Sequence, residues 1–225
     1  VYNYLPSILA VVIGFCIVYI FKPNNQKNLK LLLAFSGAFL LAITIFNLLP
    51  EVFENHDTSK SIGVWIMIGI LFQKILEYFS RGAEHGHLHL DEKTSRVPVL
   101  LFISLGIHAL LEGFPIHHSD GILLGIIVHK IPIAMILTTF LLKTEIKRPI
   151  IFLLLSIFAM MTPLGTFIAE YVTELQQYYK EITAIVIGIF LHVSTTILFE
   201  SNEGHKFNVT KLAVILLATV IAYFI

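Results

Sequence analysis

The sequence predicts an all-α polytopic membrane protein with eight transmembrane helices, and three observations carry that reading. Mean hydropathy is +0.84, with 56% hydrophobic and only 13% charged residues, whereas about a quarter of the residues of a soluble domain are charged. The apolar residues fall into eight runs, roughly 4–21, 29–50, 62–80, 98–117, 120–142, 149–170, 182–200 and 207–225, each close to the ~20 residues a spanning helix needs. The runs are too long, and too poor in strict alternation, for the strands of a barrel.

Segment 1 has neither a charged leading region nor a small-residue cleavage pattern, so it reads as a span and not as a signal peptide. It contains the single cysteine, Cys16, which excludes an internal disulfide framework. Segment 2 carries G-A-F-L-L-A-I-T from Gly37 to Thr44. Segment 3 holds Lys74 and Glu77 near one end, where long side chains reach the interface, and neither is expected to be a ligand. A polar loop over about 81–97 follows, containing E-H-G-H-L-H-L-D-E, which puts His85, His87 and His89 at alternate positions beside carboxylates able to capture metal. Segments 4 and 5 contain Pro115 and Pro132, which cannot donate to the helical ladder and leave the carbonyls of Leu111 and Val128 available. Segments 6, 7 and 8 complete the chain with connections too short for a soluble domain. Residues 1–225 are therefore expected to form one membrane domain.

Formal net charge is zero, so no global field points to nucleic acid, and the placement of the charges matters more. The connections 1–2, 3–4, 5–6 and 7–8 carry eleven basic residues, while the opposite side has only Lys60 and Lys180. Basic loops stay in the cytoplasm, so both termini are expected outside it, in an integral protein of the plasma or inner membrane. The outer side collects Glu51, Glu54, Asp57, Asp120, Glu170, Glu174 and Glu181 with His56, His117 and His118. An arriving cation would meet an acidic, imidazole-bearing vestibule.

Segments 2 and 7 share the pattern G-x-F-L-x-x-x-T, at Gly37–Thr44 and Gly188–Thr195, and run in opposite directions. That predicts a 3+2+3 arrangement, with helices 1–3 and 6–8 as inverted repeats and helices 4 and 5 between them, where a transporter of this kind places its site. Those two helices carry the concentrated charge. His108 and Glu112 are spaced i, i+4 on one face, and His129 and Lys130 lie near the middle of the next span. Ionisable groups at that depth cost about 2.5–3.5 kcal/mol each on insertion scales, so they face the interior and serve a pathway. Imidazole with carboxylate suits a borderline divalent metal such as zinc.

The segment 2 terminus N-L-L-P-E (47–51), H-A-L-L-E-G (108–113), H-K-I-P-I-A (129–134), T-P-L-G (162–165) and G-I-F-L-H-V-S-T-T-I-L-F-E (188–200) together resemble the ZIP family of divalent-metal transporters. The likeness extends in order and spacing across the chain. It implies a metal site of His108, Glu112 and His129. Asn47 and His192 are candidates for nearby polar lining, and a simple interhelical hydrogen bond is the alternative for His192. The chain departs from the family pattern at two positions. Ile133 stands where a ligating glutamate is usual. Lys130 puts an ammonium where relatives with a second, adjacent site hold another cation, so one metal is expected, with Lys130 as the fixed charge beside Glu112.

The resulting expectation is a secondary carrier, not an enzyme, importing Zn2+ or other divalent first-row ions. Zinc is its cargo, with no catalytic cofactor, and its partners are the metal ion and the lipid bilayer, with room for a homodimer. No nucleotide-binding motif supports an ATP-driven mechanism. Two other classes remain open on the residues alone. An intramembrane metal hydrolase would use the same ligand types around an open zinc position, although no H-E-x-x-H occurs, and a relative that binds metal without transporting it is suggested by Ile133.

Overall fold

The computed structural model describes residues 4–21, 26–54, 59–80, 82–83, 97–118, 120–200 and 209–225, and all its regular elements are helical. Eight long apolar helices follow the eight hydrophobic runs: α1 (Leu5–Phe21), α2 (Gln26–Ile43), α3 (Ser59–Ser80), α4 (Val99–Glu112), α5 (Asp120–Lys143), α6 (Arg148–Tyr171), α7 (Tyr179–Glu200) and α8 (Val209–Tyr223). The six helical stretches from α2 to α7 are long and apolar enough to cross a membrane. The terminal pair is shorter, 17 residues in α1 and 15 in α8. At 1.5 Å per residue these reach about 26 and 22 Å, against a hydrocarbon core of about 30 Å.

Two helix ends differ from the expected uninterrupted spans. After Ile43 the chain passes through a π turn, Thr44–Leu48, before a last α turn, Leu49–Val52. Pro50 supplies no N–H to the ladder there, and the Leu49 N–H reaches back to the carbonyl of Thr44. The N-L-L-P-E motif is therefore a wound-out helix end that carries Asn47. Helix α4 stops at Glu112, and Pro115 falls in a separate 3-10 turn, Phe114–His118, whereas Pro132 sits inside α5. Proline pushes the residue before it out of the α region, so the early stop places Glu112 on the last turn of its helix.

Small residues set the helix pairing. Helix α3 lies on α7, α1 on α5, α8 on α2 and α4 on α6. Where α3 crosses α7, a Cβ added at Gly69 would stand 2.0 Å from the Ile185 carbonyl oxygen, and one added at Gly188 would stand 2.1 Å from that of Ile66. In lipid such backbone contact, more than hydrophobic expulsion, drives helix association. Gly188→Val is accordingly expected to destabilise the protein by the upper end of the ~1–3 kcal/mol that overpacking costs, read as earlier thermal unfolding in detergent. An unchanged unfolding temperature would mean that α3 and α7 are not held this closely.

The buried apolar residues form two cores. One draws mainly on α1, α4, α5 and α6, through residues such as Val11, Leu105, Leu137 and Phe158; the other draws mainly on α2, α3, α7 and α8, through Phe39, Ile62, Phe190 and Ala218. Helix α5 belongs to both, giving Ile122 and Ile126 to the second core and Ile133 to Leu141 to the first. His129 and Lys130 occupy the stretch of α5 where it passes from one core to the other.

Candidate metal and ion site

Four ionisable side chains singled out in the sequence lie together, in the most buried part of the molecule. His108 and Glu112 on α4 and His129 and Lys130 on α5 are each no more than 4% exposed. The Lys130 ammonium donates to Oε1 of Glu112 and, at 2.5 Å, to Oγ1 of Thr162. It also sits 4.7 Å from the ring centroid of Phe158, where the electron-rich face of the ring favours a cation. The Thr162 hydroxyl has one proton and two acceptors within reach, Glu112 Oε1 at 2.6 Å and the Ala109 carbonyl at 2.9 Å. A buried charge is tolerated when its partner is close and the remaining lone pairs are satisfied, and Thr162 supplies that second requirement.

The site depends on close contact between α4 and α6. A Cβ at Gly113 would meet the Thr162 carbonyl oxygen at 2.2 Å, and one at Gly165 would meet that of Leu110 at 1.9 Å. The glycines of H-A-L-L-E-G and T-P-L-G thus let the two backbones touch, which brings Thr162 to Glu112. Thr166 donates to the Gly113 carbonyl at 2.9 Å. Across this contact the carbonyls of Ala109 and Gly113 accept from threonine hydroxyls of α6.

The imidazoles face the other side of the carboxylate. His108 Nε2 lies 3.7 Å from Glu112 Oε2, and its Nδ1 is 3.1 Å from Oε1 of Gln73 on α3. The ring centroids of His108 and His129 are 6.3 Å apart. These distances place His108 between the carboxylate of Glu112 and the ring of His129. Among the described residues, however, no three His, Cys, Asp or Glu side chains converge closely enough to hold a metal ion. In this arrangement the carboxylate is turned toward the ammonium.

The remaining expected residues are placed elsewhere. Asn47 is half-buried in the π turn and, among the described residues, makes no hydrogen bond to this cluster. His192 on α7 lies 2.8 Å from Glu77 Oε2 on α3, so it joins these two helices and makes an interhelical hydrogen bond. Glu77 is only 13% exposed and is packed against His192, contrary to the expectation that it reaches solvent, while its neighbour Lys74 is 62% exposed and 3.1 Å away. His85, His87 and His89 lie outside the described residues. On the acidic side, Tyr4 donates to Glu170, and Tyr179 donates to Glu51 at 3.2 Å. Gln73 and Thr162 were not expected at the site, although an amide and a hydroxyl inside otherwise apolar spans were the available signal.

Fold and site together define a class: a polytopic helical membrane protein with a buried cluster of ionisable side chains between two packed cores. Residues 3–99 match the family model described as ZIP Zinc transporter, so the resemblance seen in the motifs is found again over this stretch. The match takes in α1, α2 and α3 and ends at the first residue of α4, which leaves all of the cluster except Gln73 beyond it. Zinc transporter SLC39A7 of Rattus norvegicus is 28% identical over 85 residues, a stretch covering 30% of this chain and 18% of the rat protein.

Proposed function

We propose that the chain is a secondary transporter that carries Zn2+ across the membrane into the cytoplasm, through a site built by His108, Glu112 and His129 with Lys130 as its resident cation. The buried cluster on α4 and α5 carries this reading, in a chain whose residues 3–99 match the family model described as ZIP Zinc transporter. Buried ionisable groups at the middle of spanning helices are costly and belong to pathways. Their position where α5 passes between the two cores suits a mechanism in which α4 and α5 shift against α2, α3 and α7. The helix pairing favours the inverted repeat as well. Exchanging 1 with 6, 2 with 7, 3 with 8 and 4 with 5 converts the α3–α7 contact into α8–α2, and the α1–α5 contact into α6–α4. With α1 and α8 counted as spans, the basic connections lie on the cytoplasmic side and both termini outside, in the plasma or inner membrane.

One observation favours a second reading, a relative that binds metal without moving it: Glu112 is engaged by Lys130, and Ile133, one turn from His129, is buried among apolar neighbours. Metal content tests the role given to Lys130. The purified chain is expected to hold one zinc, because the ammonium takes the place of a second cation. Lys130→Glu with Ile133→Glu, which makes the pocket three charges more negative, should hold two, since bridging carboxylates offset the repulsion between neighbouring metals. Mass spectrometry after removal of surface-bound ions gives the count, and two zinc ions in the unaltered protein would refute the role given to Lys130.

Orientation has its own test. Glu145 is exposed in the connection between α5 and α6, so Glu145→Cys, made in a Cys16→Ser background, should resist an impermeant maleimide in intact cells. Ready labelling would invert the topology.

A further inference from the structure

An apolar groove of about 540 Å³ runs between α3, α4 and α6, lined by residues that include Phe72, Phe102, Gly106, Leu110, Leu154 and Phe158. Its rim residues Val99, Ile103 and Ile157 are about half exposed, while Phe158 at its floor is 4% exposed. The groove follows α4 from Val99 to Leu111, about 18 Å at 1.5 Å per residue. That is slightly more than one leaflet's half of a hydrocarbon core of about 30 Å. Because the surrounding faces of α4 and α6 are themselves apolar and exposed, the medium at this depth is hydrocarbon. At the end where α4 and α6 begin, Lys147 and Arg148 are exposed, about 9 Å along the helix from Leu154 in the groove.

We infer that the groove is a binding site for one anionic phospholipid, with an acyl chain along α4 and α6 and the phosphate at Lys147 and Arg148. Length, lining and charge all point to the same occupant. A detergent tail or a neutral lipid would match the lining but not the basic pair. The site also reaches the ion cluster, because the Phe158 ring that floors the groove is the one packed against the Lys130 ammonium. A chain in the groove backs that ring and so holds Lys130 toward Glu112. Phe72 contributes the α3 wall, so the same chain bridges the two packed cores.

Retention of lipid by the purified full chain tests this without reference to zinc. Protein taken from vesicles of equal parts phosphatidylcholine and phosphatidylglycerol should keep one phosphatidylglycerol in native mass spectrometry. A basic side chain near a net-anionic headgroup is worth about fivefold; choline offsets the phosphate of phosphatidylcholine, so the pair predicts a preference of roughly 25-fold over it. Lys147→Gln with Arg148→Gln, at exposed positions, should bring that preference close to unity while keeping the fold. Gly106→Phe fills the groove, and a Cβ added at that glycine makes only ordinary van der Waals contact, with Met161 Cγ at 3.8 Å and Sδ at 3.9 Å. This variant should lose the bound lipid, and Leu154→Phe provides the same block from α6 if the α4 change fails to fold. No retained lipid, retention indifferent to headgroup, or full retention in the groove-filled variant would each overturn the inference. None of these outcomes bears on whether zinc is the cargo.

Discussion

Lys130→Met is expected to be among the most destabilising single substitutions in this protein. Lys130 is 2% exposed and donates to Glu112, which is also 2% exposed. Removing the ammonium leaves a carboxylate without its partner in a medium that cannot solvate it, and such changes cost about 3–5 kcal/mol. The partner change separates charge from packing. In the double variant Lys130→Met with Glu112→Gln, the amide still reaches Thr162 and no charge remains, so most of the lost stability should return. A double-mutant cycle by thermal or denaturant unfolding in detergent measures the coupling. A loss below about 1 kcal/mol in the single variant would be the size expected of an exposed ion pair, and would show that Glu112 does not carry a buried charge. The same geometry alters what Glu112→Ala should do. Read from sequence, that change leaves membrane protein levels unaffected; with Lys130 buried beside it, the levels should fall unless Lys130 is replaced as well.

His108→Ala is expected to have the largest effect on transport. Outer partners of metal ligands are worth about 10–100-fold, so loss of a ligand itself should reduce zinc uptake by at least about 100-fold. The cost to the fold is smaller, because the change removes one imidazole and leaves Gln73 short of a partner, roughly 1–3 kcal/mol. Gln73→Ala removes the bond to Nδ1, 3.1 Å from Oε1 in the structure, and should fall within the 10–100-fold range. Uptake assays in cells, corrected for the amount of protein in the membrane, give both numbers. Normal uptake in the His108 variant would remove this residue from the site.

The apolar helices and the ionisable cluster were legible in the sequence because both follow from cost. A run of apolar residues near 20 long has few alternatives to a spanning helix, and His108, Glu112, His129 and Lys130 stand out because charge is rare at that depth. The helix boundaries accordingly fall within a few residues of the hydrophobic runs, except where α2 and α4 end early. What was not legible depends on neighbours distant in the chain. Thr162 looks like one hydroxyl among many until Gly113 and Gly165 let α4 and α6 touch. Gln73 and Glu77 sit one turn apart on α3 and go to His108 on α4 and His192 on α7, and no periodicity within α3 names those partners. The π turn at Thr44–Leu48 was hidden because its residues suit an α-helix equally well, with Pro50 as the sole local hint.

Zinc flux into sealed vesicles containing the purified chain tests the proposed function most directly. With a zinc-sensitive dye inside and an inward zinc gradient, uptake should saturate with zinc concentration, be absent from protein-free vesicles and be lost with His108→Ala. Zinc bound by the protein with no flux above that of protein-free vesicles would contradict the carrier and leave a metal-binding relative in its place.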